Sequence, residues 1–310
     1  MSIAFFCPGQ GAQSTGMLHR LFSHPIAGQT ITEASHCLGI DCLELDTDES
    51  LTSTVGAQLA IFVAGVAVSR VLQQAAVAPD LVTGLSVGAF TAAVAGGALS
   101  YQDGLLLVKL RAELMATAYP KGFGLSAIVG LDERRVTRIL NEINTTESPV
   151  FIANVTAPTQ IVITGSDRAM SAALARAKQD GAMLARRLPV SVPSHCELLN
   201  SVAEELSRAL AEVEIRSPTA IYVTNRRARA TRDPMQIRED LATNVAHTVR
   251  WHDATTVAYE RGIRLFVELP PGNVLTTLVS AAFPDARAIS ADNPGLDGLA
   301  NAVRYLGRVE

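Results

Sequence analysis

The sequence is poor in the residues that build metal sites and disulfide frameworks. It contains four cysteines, Cys7, Cys37, Cys42 and Cys196. They form no C-x-x-C pair, and no histidine stands at metal-ligand spacing from them. We therefore expect reduced thiols and no bound metal.

Long uninterrupted apolar runs are also missing. The most apolar stretch, Leu59 to Val68, is flanked by Gln58 and Arg70 and is shorter than the roughly 20 residues that span a bilayer. The segment from Met1 to Cys7 has no basic residues before its apolar part, so it predicts a first strand, over Ile3–Cys7, and not a signal peptide. These features predict a cytoplasmic protein with no membrane partner.

A strong excess of positive charge is absent as well. The net charge is −4, so no overall field attracts nucleic acid, which we exclude as an expected partner. Two short basic clusters, Arg186-Arg187 and Arg226-Arg227-Arg229, interrupt this balance. Such clusters are usually solvated surface, and the alternative is contact with a phosphate-rich ligand, because a guanidinium group matches phosphate geometry.

The order of predicted strands and helices indicates an α/β fold. Strands alternate with helices in residues 1–124 and 191–310, which predicts one large domain with a hydrolase-like, mostly parallel sheet covered on both faces. Residues 125–190 have the order β-α-β-β-α-β, which is typical of a ferredoxin-like unit. Asp132 and Ser166 stand where the two helices of this unit need N-caps. We therefore predict a small ferredoxin-like domain inserted into the large one.

The strongest local motif is G-L-S-V-G at residues 84–88, between a predicted strand (Leu81–Gly84) and a predicted helix (Ala89–Ala95). This is the context of a nucleophile elbow, in which a strained turn exposes the serine hydroxyl, here that of Ser86, at a helix N-terminus. The alternative is an ordinary glycine-rich turn whose serine caps the helix.

A serine nucleophile needs a base within hydrogen-bond reach. Among the six histidines, His195 follows an extended segment at the edge of the predicted insert and precedes an apolar helix predicted over Cys196–Val213. It could therefore face a cleft between the two domains. A structural role for His195 stays open on these grounds, and His247 and His252, which flank Trp251, are alternatives.

Several further motifs occur in a fixed order along nearly the whole chain. They are F-C-P-G-Q-G-A-Q (residues 6–13), G-L-S-V-G (84–88), a helix containing Arg111, L-P-V-S-V-P-S-H-C (188–196), V-R-W (249–251) and E-L-P-P-G-N-V-L (268–275). This ordered set resembles that of malonyl-CoA:acyl-carrier-protein transacylases. A set of motifs in one order is more specific than any single motif.

The resemblance implies roles for individual residues. Ser86 would be the acylated nucleophile, with His195 as general base and later general acid. The histidine would be oriented by a backbone carbonyl, which the resemblance assigns to Arg250. The backbone N–H groups of Gln10 and Val87 would form the oxyanion hole, with Gln10 also contacting substrate.

Arg111 would set the substrate class. A guanidinium group in the acyl pocket can hold the free carboxylate of malonate through two parallel hydrogen bonds, which acetyl and butyryl groups cannot accept. A surface ion pair within the same helix is disfavoured, because Leu107 and Met115, four residues away on either side, are not acidic.

Two positions depart from the transacylases of fatty-acid synthesis, whose motif is G-H-S-x-G-E. This chain has Leu85 in place of the histidine and Ala89 in place of the acid, a version that resembles the epsilon subunit of bacterial malonate decarboxylase. The resemblance therefore implies malonyl transfer from malonyl-CoA to the carrier subunit of that enzyme, with a coenzyme A thioester as substrate and no permanently bound cofactor.

Three alternatives remain. The first is the malonyl-CoA:acyl-carrier-protein transacylase of fatty-acid synthesis, which has the same chemistry and another carrier. The second is an α/β-hydrolase, which would have a carboxylate between serine and histidine in chain order and no ferredoxin-like insert. The third is a non-catalytic scaffold that docks a carrier.

Overall fold

The computed structural model describes residues 2–119, 121–292 and 296–308. The strands in these ranges, in chain order, are β1 (Ile3–Cys7), β2 (Leu81–Gly84), β3 (Phe123–Val129), β4 (Val150–Ala157), β5 (Gln160–Ser166), β6 (Leu184–Arg187), β7 (Ile221–Val223), β8 (Ala230–Thr231), β9 (Leu265–Glu268) and β10 (Arg287–Ser290). They form a six-stranded sheet in the order β10-β9-β1-β2-β7-β8 and a four-stranded sheet in the order β4-β5-β3-β6.

The helices in the same ranges, in chain order, are α1 (Met17–Phe22), α2 (Pro25–Leu38), α3 (Asp48–Leu51), α4 (Thr54–Gln74), α5 (Gly88–Ala95), α6 (Tyr101–Ala118), α7 (Glu133–Ile143), α8 (Asp167–Gln179), α9 (Asn200–Ala211), α10 (Pro234–Thr243), α11 (Trp251–Glu260), α12 (Val274–Ala282) and α13 (Leu296–Arg308). Short 3₁₀ helices occur at Cys42–Asp46, Glu197–Leu199 and Asn244–Ala246.

The six-stranded sheet is parallel except for its edge strand β8, which pairs antiparallel with β7. Helix α4 packs against α2, α5 and α6 beside this sheet. It is long and apolar enough to cross a membrane by length and composition, and 89% of its most apolar window is buried inside the protein. Burial of this kind is typical of the core helix of a large α/β layer.

The four-stranded sheet is antiparallel throughout. Helices α7 and α8 pack on each other and bury a separate apolar cluster against it, including Ile128, Val136, Ile161 and Ala173. The edge strand β4 contacts the rest of the chain through residue 249: Val249 N–H donates to Ala153 O (2.8 Å) and Val155 N–H donates to Val249 O (3.0 Å). The smaller sheet therefore borders the segment that precedes α11.

The parallel register of the larger sheet brings several strand ends to one edge. Cys7 at the end of β1 lies beside Gly84 at the end of β2, and Phe6 lies beside Glu268 at the end of β9. The loop after β1, the turn after β2 and the turn after β7 therefore share this edge. In an open parallel sheet this is the edge where ligands bind.

Most predicted elements are confirmed, with shifted ends. Strands β1 and β2 have the predicted bounds, and the six elements between residues 123 and 187 follow the predicted order. The helix predicted over Cys196–Val213 is wrong at its start: Glu197–Leu199 form a 3₁₀ turn and α9 begins at Asn200. His195 has a positive φ of 68°, and this left-handed conformation breaks the chain's path before a helix can start.

Candidate active site

Ser86 lies on a tight turn between β2 and α5. Its φ is 59°, a left-handed conformation that a residue other than glycine adopts at a cost. A Cβ at Gly84 would collide with the backbone of Gly88, and one at Gly88 would collide with Cys7 O. The two glycines are therefore required by close approach of the backbone, and the predicted elbow is present.

The side chain of Ser86 meets the side chain of His195. Its Oγ lies 2.8 Å from His195 Nε2, and His195 Nδ1 lies 2.7 Å from Asn244 O. Because a carbonyl can only accept, Nδ1 carries the proton and Nε2 accepts the hydroxyl hydrogen of Ser86. This tautomer is the one that can remove a proton from the hydroxyl.

The assignment of the orienting carbonyl to Arg250 is wrong. The carbonyl belongs to Asn244, because the 3₁₀ turn Asn244–Ala246 lies against His195, whose N–H also donates to Val245 O (2.7 Å). Arg250 instead pairs with Glu133 at 2.7 Å, and its N–H donates to Asn225 O. It therefore links the start of α11 to α7.

The histidine is held neutral by its surroundings. Burial and, after it, the positive charge of Arg111 together lower the pKa of His195 from 6.5 to about 4. Its backbone partners, including Asn244, act in the opposite direction. A neutral imidazole at physiological pH can act as a base without first losing a proton.

Arg111 projects from α6 into the same site and is fully buried. Its Nη1 donates to Gln58 Oε1 (2.6 Å) and its Nη2 donates to Ser86 Oγ (3.0 Å), whereas Nε has no partner among the described residues. Burial lowers the pKa of Arg111 to about 9, so the group stays cationic at neutral pH. A buried cation without a carboxylate partner is costly, and an anionic ligand would offset that cost.

The Pro8–Gly11 turn approaches the elbow closely. A Cβ at Gly9 would lie 2.6 Å from Leu85 O, so this position also requires glycine. The N–H groups of Gln10 and Val87 make no hydrogen bond within the described part of the chain. Two free donors beside a nucleophile are suited to accept the charge of a developing oxyanion.

A small cavity joins these groups. It is lined by residues from both layers of the fold, including Gln10, Leu85, Ser86, Asn154, Val190 and His195. The carboxamide oxygen of Asn154, on β4, is buried there without a partner among the described residues. The four-stranded layer therefore contributes directly to the wall around Ser86.

Sequence reasoning missed a buried polar group beneath the elbow. Asn225 follows β7, and its Oδ1 accepts the N–H of Ser86 at 3.0 Å. Asp240 accepts the N–H of Asn225 (2.8 Å) and the hydroxyl of Tyr222 (2.8 Å). Burial raises the pKa of Asp240 to about 6. The available signal was a polar residue directly after a strand that ends at the same edge of the sheet as β2.

The alternative bases do not reach Ser86. His247 lines a different cavity, of about 510 Å³, between α7, β4 and the 3₁₀ turns around His195. His252 lies in the first turn of α11, where its carbonyl accepts from Thr255 and Thr256. His195 itself lines both cavities, so it is the histidine that the fold brings to the serine.

Known proteins resemble this chain over nearly its full length. The family model described as acyl transferase domain matches residues 4–294. The malonyl CoA-acyl carrier protein transacylase of Salmonella typhimurium is 36% identical over 302 residues, covering 93% of this chain and 97% of that relative.

Two solved structures have the same fold. The acyl-carrier-protein S-malonyltransferase of Burkholderia pseudomallei 1710b has a TM-score of 0.91 at 36% identity, covering 97% of this chain and 100% of that one. A malonyl-transacylase solved in complex with a type II PKS acyl-carrier protein has a TM-score of 0.92 at 33% identity, again covering 97% and 100%.

Proposed function

Because this chain belongs to the acyl transferase domain family, we propose that it transfers the malonyl group of malonyl-CoA to the thiol of an acyl carrier protein. The observation that carries the proposal is the buried guanidinium of Arg111, whose Nη2 lies 3.0 Å from the hydroxyl that would be acylated. A fixed cation at that distance favours an acyl group that ends in a carboxylate. The names of the relatives agree with this choice of substrate.

Ser86 is the proposed nucleophile. His195 Nε2 takes the hydroxyl proton while Oγ attacks the thioester carbonyl, and the same proton then passes to the departing coenzyme A thiolate. The malonyl group stays on Ser86 as an ester. In the second half of the cycle His195 takes the proton of the carrier thiol, whose sulfur attacks the ester carbonyl. The bond between the acyl carbon and Ser86 Oγ then breaks, and His195 gives the proton to Oγ, which restores the serine hydroxyl.

The oxyanion of each tetrahedral intermediate is assigned to the N–H groups of Gln10 and Val87. Such donors are worth about 3 to 4 kcal/mol each in the transition state. Asn225 supports the arrangement by accepting the Ser86 N–H, so that the elbow keeps its strained turn. Asn225 is a positioning residue, since it acts through the backbone of the nucleophile.

Two carrier proteins are candidates for accepting the malonyl group: an acyl carrier protein and the carrier subunit of malonate decarboxylase. The relatives described above are named for an acyl carrier protein, in one case a type II PKS carrier, and this favours the first candidate, an acyl carrier protein like that of fatty-acid synthesis. They lend no support to the prediction of a malonate decarboxylase epsilon subunit. Leu85 and Ala89 are the observation that favours the second candidate. Leu85 lines the cavity around Ser86 and Ala89 is fully buried. Ser86 and His195, which carry the proposed chemistry, are present and lie 2.8 Å apart, so both candidates keep the same chemistry.

The proposal also includes a description of the two domains of the chain. Residues 125–190 are proposed to be a ferredoxin-like domain inserted into a hydrolase-like domain of residues 1–124 and 191–310. The strand order β4-β5-β3-β6, with α7 and α8 on one face, supports that description. A cytoplasmic location is proposed with it, since both substrates of the reaction are found there.

Intact-protein mass after incubation with malonyl-CoA tests the proposal. We expect a malonyl adduct that is absent in Ser86→Ala, and discharge of the adduct when a carrier is added. Preference for a phosphopantetheine carrier supports the fatty-acid candidate, and preference for the malonate decarboxylase carrier supports the other. Release of free malonate without transfer would instead identify a hydrolase.

A further inference from the structure

The turn that follows Asn225 carries positive charge with no partner. Arg226, Arg227 and Arg229 lie in the Thr224–Arg229 connection between β7 and β8 and are exposed. Within the described part of the chain their guanidinium groups take part in no ion pair or hydrogen bond. By contrast, Arg70, Arg176 and Arg250 are each paired with a carboxylate.

The turn is held in one conformation from below. Thr224 N–H donates to Arg229 O (3.0 Å), and Arg229 N–H donates to Thr224 Oγ1 (2.9 Å). Arg226 N–H donates to the buried carboxylate of Asp240 at 3.4 Å. A backbone fixed at both ends keeps the three side chains at neighbouring positions, so that only their rotamers have to be ordered when an anion binds.

The cations also border a cavity. A recess of about 50 Å³ is lined by all three arginines together with Thr224, Gln236, Glu239, Asp240 and Thr243. Glu239 is the one exposed carboxylate among these lining residues, and Asp240 is already bonded to Tyr222 and Asn225. Positive charge therefore exceeds negative charge at this recess.

The charge extends towards the reacting groups. Burial lowers the pKa of His247, and the charges of Arg226 and Arg227 lower it further. His247 and His195 line the same cavity of about 510 Å³ between the two layers. Asn225, which directly precedes Arg226, accepts the N–H of Ser86 at 3.0 Å. Thr243, which lines the basic recess, directly precedes Asn244, whose carbonyl accepts from His195. The basic turn therefore lies close to both reacting side chains.

We propose that the Arg226–Arg229 turn binds the phosphate groups of the coenzyme A donor. This inference rests on the proposed function and names a binding site for its substrate. The phosphates are separated from the thioester by the pantetheine arm, so their site must lie outside the acyl cavity and within reach of it. Guanidinium groups bind phosphate by two parallel hydrogen bonds, and three of them match a ligand with several phosphates.

The test compares a donor that carries the nucleotide end of coenzyme A with one that lacks the whole nucleotide, that is the phosphates, the ribose and the adenine. Malonyl-CoA and malonyl-pantetheine are used with the wild type and with the triple variant R226Q/R227Q/R229Q. We expect the triple variant to raise the KM for malonyl-CoA by about tenfold, since three exposed charged contacts worth roughly twofold each are lost together. The kinetics with malonyl-pantetheine should stay unchanged. The KM of the wild type for malonyl-CoA should also rise with salt, and that of the variant should rise less.

A matched triple variant, R134Q/R168Q/R261Q, controls for net charge. These three arginines are exposed and without a partner among the described residues, and we expect wild-type kinetics with both donors. Equal losses for both donors, an equal effect in the control, or a loss confined to the carrier half-reaction would overturn the phosphate site. Failure of the wild type to be acylated by either donor would overturn the proposed function itself, which keeps the two failures distinguishable.

Discussion

Replacing Arg111 tests how the site selects its acyl group. A guanidinium group carries five N–H donors; one is bonded to Gln58 and one to Ser86, so three remain and two can bind a carboxylate. Charge-assisted hydrogen bonds contribute about 1.5 to 3 kcal/mol each. Loss of two bonds therefore corresponds to roughly 3 to 6 kcal/mol, or about 10² to 10⁴ in kcat/KM.

The assay follows acyl transfer in Arg111→Gln and Arg111→Ala with malonyl-CoA and acetyl-CoA as donors. We expect the loss with malonyl-CoA only, and unchanged or faster transfer with acetyl-CoA. Lys109→Gln is the matched control, because Lys109 lies on the same helix, is half-buried and pairs only weakly with Glu113 at 4.0 Å. Equal losses with both donors would refute the assignment, since they would mean that Arg111 serves Ser86 and not the carboxylate.

Two further predictions concern His195, which lies beside the nucleophile Ser86, and Asn225, which lies beneath it. Because the pKa of His195 is lowered from 6.5 to about 4, the acylation rate should stay level as pH falls to about 5 and decline near 4, measured by quenched flow. An acid limb centred near 6.5 would contradict this. Asn225→Ala removes a buried acceptor, whose loss costs about 1 to 3 kcal/mol, so the acylation rate should fall about tenfold or more with little change in KM. Loss of thermal stability at an unchanged rate would leave Asn225 a purely structural residue.

The pKa shifts of His195 and Asp240 make the free energy of unfolding change with pH in opposite directions. The folded state binds fewer protons at His195 than the unfolded chain between pH 6.5 and about 4, so this group destabilises the fold as pH falls through that window. Asp240, with a pKa raised from 3.8 to about 6, destabilises the fold as pH rises through its window. Their effects oppose each other between about pH 4 and 6.

Local features of the site were predictable from the sequence because their causes are local. The glycines of G-L-S-V-G identify a turn in which a Cβ cannot be accommodated, and the strand and helix around them follow from apolar runs of the right length. The same holds for the elements between residues 123 and 187, whose order is present as predicted. In each case a few neighbouring residues determine the conformation.

The partners of the reacting groups depended on contacts between distant segments. Asn244 lies 49 residues from His195, and Asn225 lies 139 residues from Ser86. Nothing in the sequence near Arg250 distinguishes its carbonyl from that of Asn244, and the choice is made where the 3₁₀ turn packs on His195. These distant residues meet because the ends of several parallel strands lie at one edge of the sheet, and only the tertiary structure specifies which ends are neighbours.

Arg111 combines both kinds of information. The sequence determined that it lies on an amphipathic helix without an acidic neighbour four residues away. The tertiary structure decided that it is fully buried and that its guanidinium contacts Gln58 and Ser86. Helical periodicity fixes the face of a helix on which a side chain lies, whereas the packing of α6 against α4 decides what that face contacts.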